Sequence, residues 1–148
     1  MLVAWDFYRS SSATRNAAIT LRGIALVETA LAKFDDAVEH AQQALLSFEE
    51  LGLDLDAAMA LNCLGWVRFR SGDHGLANVN YLDAATRSER CGSGYESARA
   101  QTGLGNIAAA AGHLSLAREH WNRADDTHFS LDETMVGEAR ARRTAQLG

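Results

Sequence analysis

Apolar residues recur every three or four positions along almost the whole chain, which is the spacing of helices with one buried face. The pattern breaks at short, matching places. Ala32-Lys33, Ser71-Gly72 and Ala111-Gly112 form one set of breaks, and Leu51-Gly52, Cys91-Gly92 and Leu131-Asp132 form the other. Glycine at such points fits a helix stop. Asp54, Asp73 and Ser93 stand where side-chain caps for the following helices are expected. The pattern predicts helices over 14–31, 34–51, 54–70, 73–90, 94–111, 114–130 and 133–147. Each runs about 17 residues, roughly 25 Å at helical rise. Loops of two to four residues between them make consecutive helices antiparallel.

The pattern also repeats with a period of 40. Ala37, Ala77 and Ala117 lie one period apart, as do Ala44, Ala84 and Ala124, and Ile24, Leu64 and Leu104. Ala25, Gly65 and Gly105 follow the last set. Self-similarity at this period marks a stacked-repeat protein. Such a protein offers an extended surface, so holding a partner is the expected task. The expected fold is all-α, a right-handed α-solenoid of antiparallel helix pairs in one domain over 1–148. Its repeats run 14–51, 54–91 and 94–131, with a capping helix over 133–147. Residues 1–12 match the second half of a truncated repeat: Met1 aligns with Ala41, Tyr81 and Trp121, and Ala4 aligns with Ala44. Leu2, Val3, Trp5, Phe7 and Tyr8 are expected to pack on the helix from 14 to 31. Starting in mid-repeat suggests that Met1 is internal to a longer chain. At the other end Glu138, Arg140, Arg142 and Arg143 make the last helix polar, as a terminal cap requires, which would put Gly148 close to a true C-terminus.

These residues resemble the tetratricopeptide repeat family, whose motif has a large residue, Leu-Gly three positions later, Ala-x-x-x-aromatic, then a further Ala. Repeat two reads Leu61, Leu64-Gly65, Ala77, Tyr81, Ala84. Repeat three reads Gln101, Leu104-Gly105, Ala117, Trp121, Ala124. Repeat one is weaker, with Leu21, Ile24-Ala25, Ala37, Ala41 and Ala44. Gly65 and Ala77 are expected to face each other at the helix crossing, where small residues allow close approach. Tyr81 and Trp121 should fill the space beside them. The family period is about 34, so these helices are longer than usual, and the family's late proline is absent. The long repeats are similar to the C-terminal arrays of large bacterial transcription regulators of the antibiotic-regulatory or LuxR-like class.

The resemblance implies a concave face lined by the first helix of each pair. Its positions are Ile19, Arg22, Leu26, Thr29 and Ala30 in repeat one. In repeat two they are Met59, Asn62, Trp66, Phe69 and Arg70, and in repeat three Arg99, Thr102, Asn106, Ala109 and Ala110. Arg22, Asn62, Trp66, Phe69, Arg70, Arg99, Thr102 and Asn106 are the candidate partner-binding residues. Trp66 and Arg70 lie one turn apart on one face and are of the types that dominate binding energy. The family's carboxylate clamp needs several cations here, and only Arg99 fits that pattern plainly.

Composition narrows the rest. The chain has 148 residues, no proline and a net charge of -5, and an acidic chain without a basic patch repels nucleic-acid phosphates. Arg140, Arg142 and Arg143 form the only dense basic run and read as solvated. No stretch has the roughly 18 apolar residues of a membrane span, and no signal peptide is evident, so a cytoplasmic location is expected. Cys63 and Cys91 lack metal-knuckle spacing and read as small core residues. His40, His74, His113, His120 and His128 form no ligand motif; His40 and His120 share a repeat position, read as solvent-facing. Asp35-Asp36 and Asp125-Asp126 read as caps or solvated charge. No metal, no cofactor and no catalytic constellation is expected, so the chain is not read as an enzyme. The expectation is a protein- or peptide-interaction module of a larger bacterial transcriptional or signalling regulator. The alternative is a self-assembly module or free-standing adaptor, pairing copies through the apolar N-terminal half-helix.

Overall fold

The computed structural model describes residues 2–129 and 143–147. Among the described residues helices follow one another as α1 (Leu2–Ala30), α2 (Phe34–Glu50), α3 (Asp54–Arg70), α4 (His74–Arg90), α5 (Gly94–Ala110) and α6 (Leu114–Phe129), with a further helical stretch over 143–147. No strand occurs among the described residues. Each helix packs on its neighbour in sequence, and α3 also touches α1 and α5. The fold is therefore an all-α array of antiparallel helix pairs, a tetratricopeptide-like solenoid. The proposed cap over 133–147 and the break at Leu131-Asp132 lie largely outside the described residues; 143–147 are helical.

The breaks share one geometry. Gly52, Gly72, Gly92 and Gly112 have φ between 68 and 88°, a left-handed conformation that costs glycine little. In each, the glycine N–H reaches back to one carbonyl and the next N–H to the carbonyl five residues behind. Gly92 donates to Glu89 O at 3.2 Å and Ser93 to Ser88 O at 2.8 Å. This is the Schellman stop, which satisfies the orphan carbonyls of a helix end. Ala32 adopts the same turn at φ 59°. Asp73 and Ser93 cap α4 and α5 by accepting the N–H of Leu76 and Glu96. Asp54 does not cap: Leu53 precedes α3 without a side-chain bond, and Asp54 lies in the first turn.

The N-terminus departs from expectation. The stops fall every 20 residues, at 32, 52, 72, 92 and 112, and the next position back is Ser12. Ser12 stays helical, whereas Ala32 takes the left-handed turn despite the cost of about 1–2 kcal/mol to a non-glycine residue. α1 runs 29 residues without a break. Residues 2–12 therefore do not fold back on 14–31, and Val3, Trp5, Phe7 and Tyr8 are exposed.

Of the twelve repeat-motif positions named for repeats two and three, eleven are buried: Leu61, Leu64, Gly65, Ala77, Tyr81 and Ala84, then Leu104, Gly105, Ala117, Trp121 and Ala124; Gln101 is half-buried. Gly65 faces Tyr81 rather than Ala77. A Cβ on Gly65 would come within 2.8 Å of the Tyr81 ring, and one on Gly103 would overlap the same ring from the other side. Gly105 is close to the Trp121 ring, and a Cβ there would lie 3.1 Å from the Ala117 carbonyl. In repeat one the ring position is Ala41, and it packs with Ala25 and Cys63. A large ring takes glycine on both sides, whereas alanine leaves room for larger neighbours. Cys63 is buried as expected, but Cys91 is exposed, because it lies in the turn after α4.

Two polar expectations also change. Asp125 is buried and ion-paired with Arg143, so neither is a solvated charge. His40 and His120 are half-buried. The His40 Nδ1 lies 2.6 Å from Glu28 Oε1, and the His120 Nδ1 lies 2.8 Å from Gln101 Oε1.

Candidate functional site

The first helices α1, α3 and α5 lie side by side, and between them is a cavity of about 340 Å³. Leu26, Asn62, Trp66, Tyr81, Arg99, Thr102, Gly103 and Asn106 line it. Five of the eight candidate binding residues thus meet in one place: Asn62, Trp66, Arg99, Thr102 and Asn106. The helical spacing of 62, 66 and of 99, 102, 106 turns these side chains to one face of α3 and of α5.

The floor is a polar network around Glu96, which is 2% exposed. Asn62 Nδ2 donates to Glu96 Oε2 at 2.8 Å and to the Glu96 carbonyl at 3.0 Å. The Arg99 guanidinium bonds both carboxylate oxygens, at 3.1 and 3.2 Å. A buried carboxylate is tolerable only when it is paired and hydrogen-bonded, and these partners provide that. Arg99 is consequently held by an internal acid and is not a bare cation. Asn62 Oδ1 is buried and has no hydrogen-bond partner among the described residues. At the far end Trp121 Nε1 donates to Asn106 Oδ1 at 3.2 Å. Burial raises the pKa of the Tyr81 phenol above its ordinary value, and it pushes the Cys63 thiol up to about 11.

The other three candidates lie elsewhere. Phe69 stacks between Trp66, at 6.3 Å, and His74, at 5.0 Å between centroids. Arg70 sits 5.4 Å over the Trp66 ring, a cation–π pair. The three residues with His74 form an aromatic cluster at the end of α3, sharing Trp66 with the cavity. Arg22 is half-buried on α1, and its carbonyl lies 4.0 Å from Cys63 Sγ.

Three lining or supporting residues escape sequence reasoning. Tyr81 reads only as a packing position and Gly103 carries no reading of its own, yet the ring seated on Gly103 forms a wall. Glu96 was legible in part: Ser93-x-x-Glu96 is the pattern of a helix capping box. The serine does cap, at 3.3 Å from Glu96 N, but the carboxylate turns to Asn62 and Arg99. Among the described residues no group of three His, Cys, Asp or Glu is placed to hold a metal ion, and no helix is long and apolar enough to cross a membrane.

The tetratricopeptide repeat family model matches residues 16–90, half of the chain. The chain belongs to this family, whose repeats mediate protein–protein interaction and are generally not enzymes. A search of curated proteins finds no match.

Proposed function

We propose that this chain binds a protein or peptide in the cavity between α1, α3 and α5, as the tetratricopeptide segment of a larger bacterial transcriptional or signalling regulator. The observation that carries the reading is the convergence of Asn62, Trp66, Arg99, Thr102 and Asn106 on one cavity. Trp66 supplies a large apolar face with Arg70 stacked on it. Thr102 and Asn106, half-buried on α5, bring a hydroxyl and an amide to the same cavity, groups that hydrogen-bond an extended peptide backbone. The regulator context rests on the long-repeat style of the sequence.

Selection of binders from a random peptide display library tests this. Selected peptides should bind the Trp66→Ala and Arg70→Ala variants at least tenfold more weakly, the loss expected of anchor residues. Circular dichroism establishes that both variants fold. Unchanged binding by both folded variants would refute the cavity as the binding site.

A second reading, self-association, is favoured by a separate observation. Trp5 and Tyr8 are 57% and 65% exposed on α1, which among the described residues packs on α2 and α3.

A further inference from the structure

On the reading that the cavity binds the partner, we infer that the Tyr81 hydroxyl is one of its ligand-binding groups. The group it takes is a side-chain carboxamide of the bound peptide, from glutamine or asparagine.

Tyr81 belongs to α4, but its ring passes between the first helices α3 and α5. Gly65 of α3 lies on one side and Gly103 of α5 on the other, and both crowd Cζ, the carbon that carries the hydroxyl. The hydroxyl therefore emerges past the two glycines, and Tyr81 lines the cavity on their far side. The residue is 5% exposed, yet its hydroxyl makes no hydrogen bond among the described residues. A buried tyrosine hydroxyl ordinarily has a partner, and the cavity is where one can reach this hydroxyl. The packing position asks only for the ring, which phenylalanine would supply equally. Burial raises the phenol pKa, so the group stays protonated and can donate.

The neighbouring groups define what it would bind. Arg99 meets Glu96 through Nη1 alone, at 3.1 and 3.2 Å, which leaves the N–H groups of Nε and Nη2 to a ligand. Asn106 accepts the Trp121 indole N–H at Oδ1, so its NH2 is left to donate. Thr102 gives its hydroxyl hydrogen to the Ala98 carbonyl at 3.0 Å, which leaves its oxygen as an acceptor. The cavity thus offers donors from Tyr81, Arg99 and Asn106, and an acceptor from Thr102. A carboxamide carries both complements, a carbonyl oxygen and an NH2. A carboxylate can only accept, and the charge it would answer on Arg99 is already met by Glu96. An ammonium can only donate, and it would face the guanidinium. Trp66 and Leu26 supply the apolar wall for the stem of the side chain.

Tyr81→Phe removes the hydroxyl and keeps the ring between its glycines. Followed by circular dichroism, it should melt at or above the wild-type temperature, because no internal hydrogen bond is lost. A fall of several degrees would place the hydroxyl's partner inside the fold and overturn the inference. The binding probes are peptides selected on the wild-type protein from a random display library. They should share a glutamine or asparagine and bind Tyr81→Phe about five- to a hundredfold more weakly by calorimetry, the loss expected when a buried acceptor is left unpaired. Changing that peptide residue to alanine should cost far less against Tyr81→Phe than against the wild type, since both changes remove one contact. Peptides with no shared amide residue, or two losses that simply add, would overturn the carboxamide. Wild-type affinity in Tyr81→Phe, with Trp66→Ala weakened, would overturn the role of the hydroxyl and leave the cavity as the binding site. Wild-type affinity in Tyr81→Phe, Trp66→Ala and Arg70→Ala alike would remove the cavity reading as well.

Discussion

Gly23 and Gly103 occupy the same repeat position, and the same substitution should act on them in opposite directions. Neither glycine needs a left-handed backbone, since both lie inside helices. Replacing glycine by alanine in a helix interior gains about 0.5–1 kcal/mol through lower backbone entropy. At Gly23 a new Cβ meets nothing within 4 Å, so that gain stands alone. At Gly103 the Cβ would lie well under 3.0 Å from the Tyr81 ring. The ring has no room to retreat, because Gly65 backs its other face and a Cβ there would be only 2.8 Å away. Overpacking of this kind costs about 1–3 kcal/mol. Gly103→Ala should therefore destabilise by about 1–2 kcal/mol net, while Gly23→Ala should stabilise slightly. Urea unfolding followed by circular dichroism, at low protein concentration, measures both. A double-mutant cycle isolates the cause: in a Tyr81→Ala background, Gly103→Ala should become stabilising, with a coupling of about 1–3 kcal/mol. Two substitutions of the same sign, or no coupling to Tyr81, would refute the account of the ring as clamped between two glycines.

The thiols and histidines give two further outcomes. Cys91 is exposed, whereas Cys63 is buried with its thiol pushed up to about 11; a thiol reagent at neutral pH should titrate one cysteine rapidly in the native protein and two in denaturant, and fast reaction of both would contradict the burial. The Glu28 hydrogen bond raises the pKa of His40, while burial, aided by the nearby Arg123, lowers that of His120. In an NMR titration the His40 midpoint should lie above the ordinary value of about 6.5 and fall toward it in Glu28→Gln, with His120 below. The stabilising contribution of His40 is present below the unfolded value and is lost as pH rises through the raised folded value. That of His120 runs the other way, being lost as pH falls through the lowered one. A His40 midpoint unmoved by Glu28→Gln would remove Glu28 as the cause.

Most of the fold is legible because the repeat is written in small residues. Each α2-to-α5 break is carried by a glycine in a left-handed turn or by a cap beside it, and each crossing by an alanine or glycine, so local and tertiary demands coincide at visible positions. The exception, residues 2–12, shows the limit of register: alignment alone puts a break near 12, yet the chain runs through it as one helix, although Ala32 makes the equivalent turn without glycine. The candidate cavity was legible as far as the helix faces, since 62, 66, 99, 102 and 106 share a side by spacing alone. Which of the face residues reach one cavity depends on partners. Arg70 is drawn onto Trp66, Arg99 onto Glu96, and Asn106 is engaged by Trp121. A one-dimensional pattern shows none of those choices.

The weak repeat is the clearest case of sequence and packing explaining each other. Repeat one looks degenerate because Ala41 replaces the aromatic residue and Ala25 replaces the glycine. In the structure these departures compensate. A small residue at 41 removes the need for glycine at 25, and it admits a cysteine at 63, all three filling one cluster. Repeat two makes the opposite choice, with Tyr81 between Gly65 and Gly103. Total volume at the crossing is the conserved quantity within the chain, as expected where cores pack to near-crystalline density. The two solutions differ in what they leave at the surface. Only the glycine–tyrosine arrangement sets an aromatic wall, backed by Gly103, beside Asn62 and Arg99. The cavity accordingly lies where the repeat pairs a ring with glycine, with Tyr81 and Gly103 both in its lining.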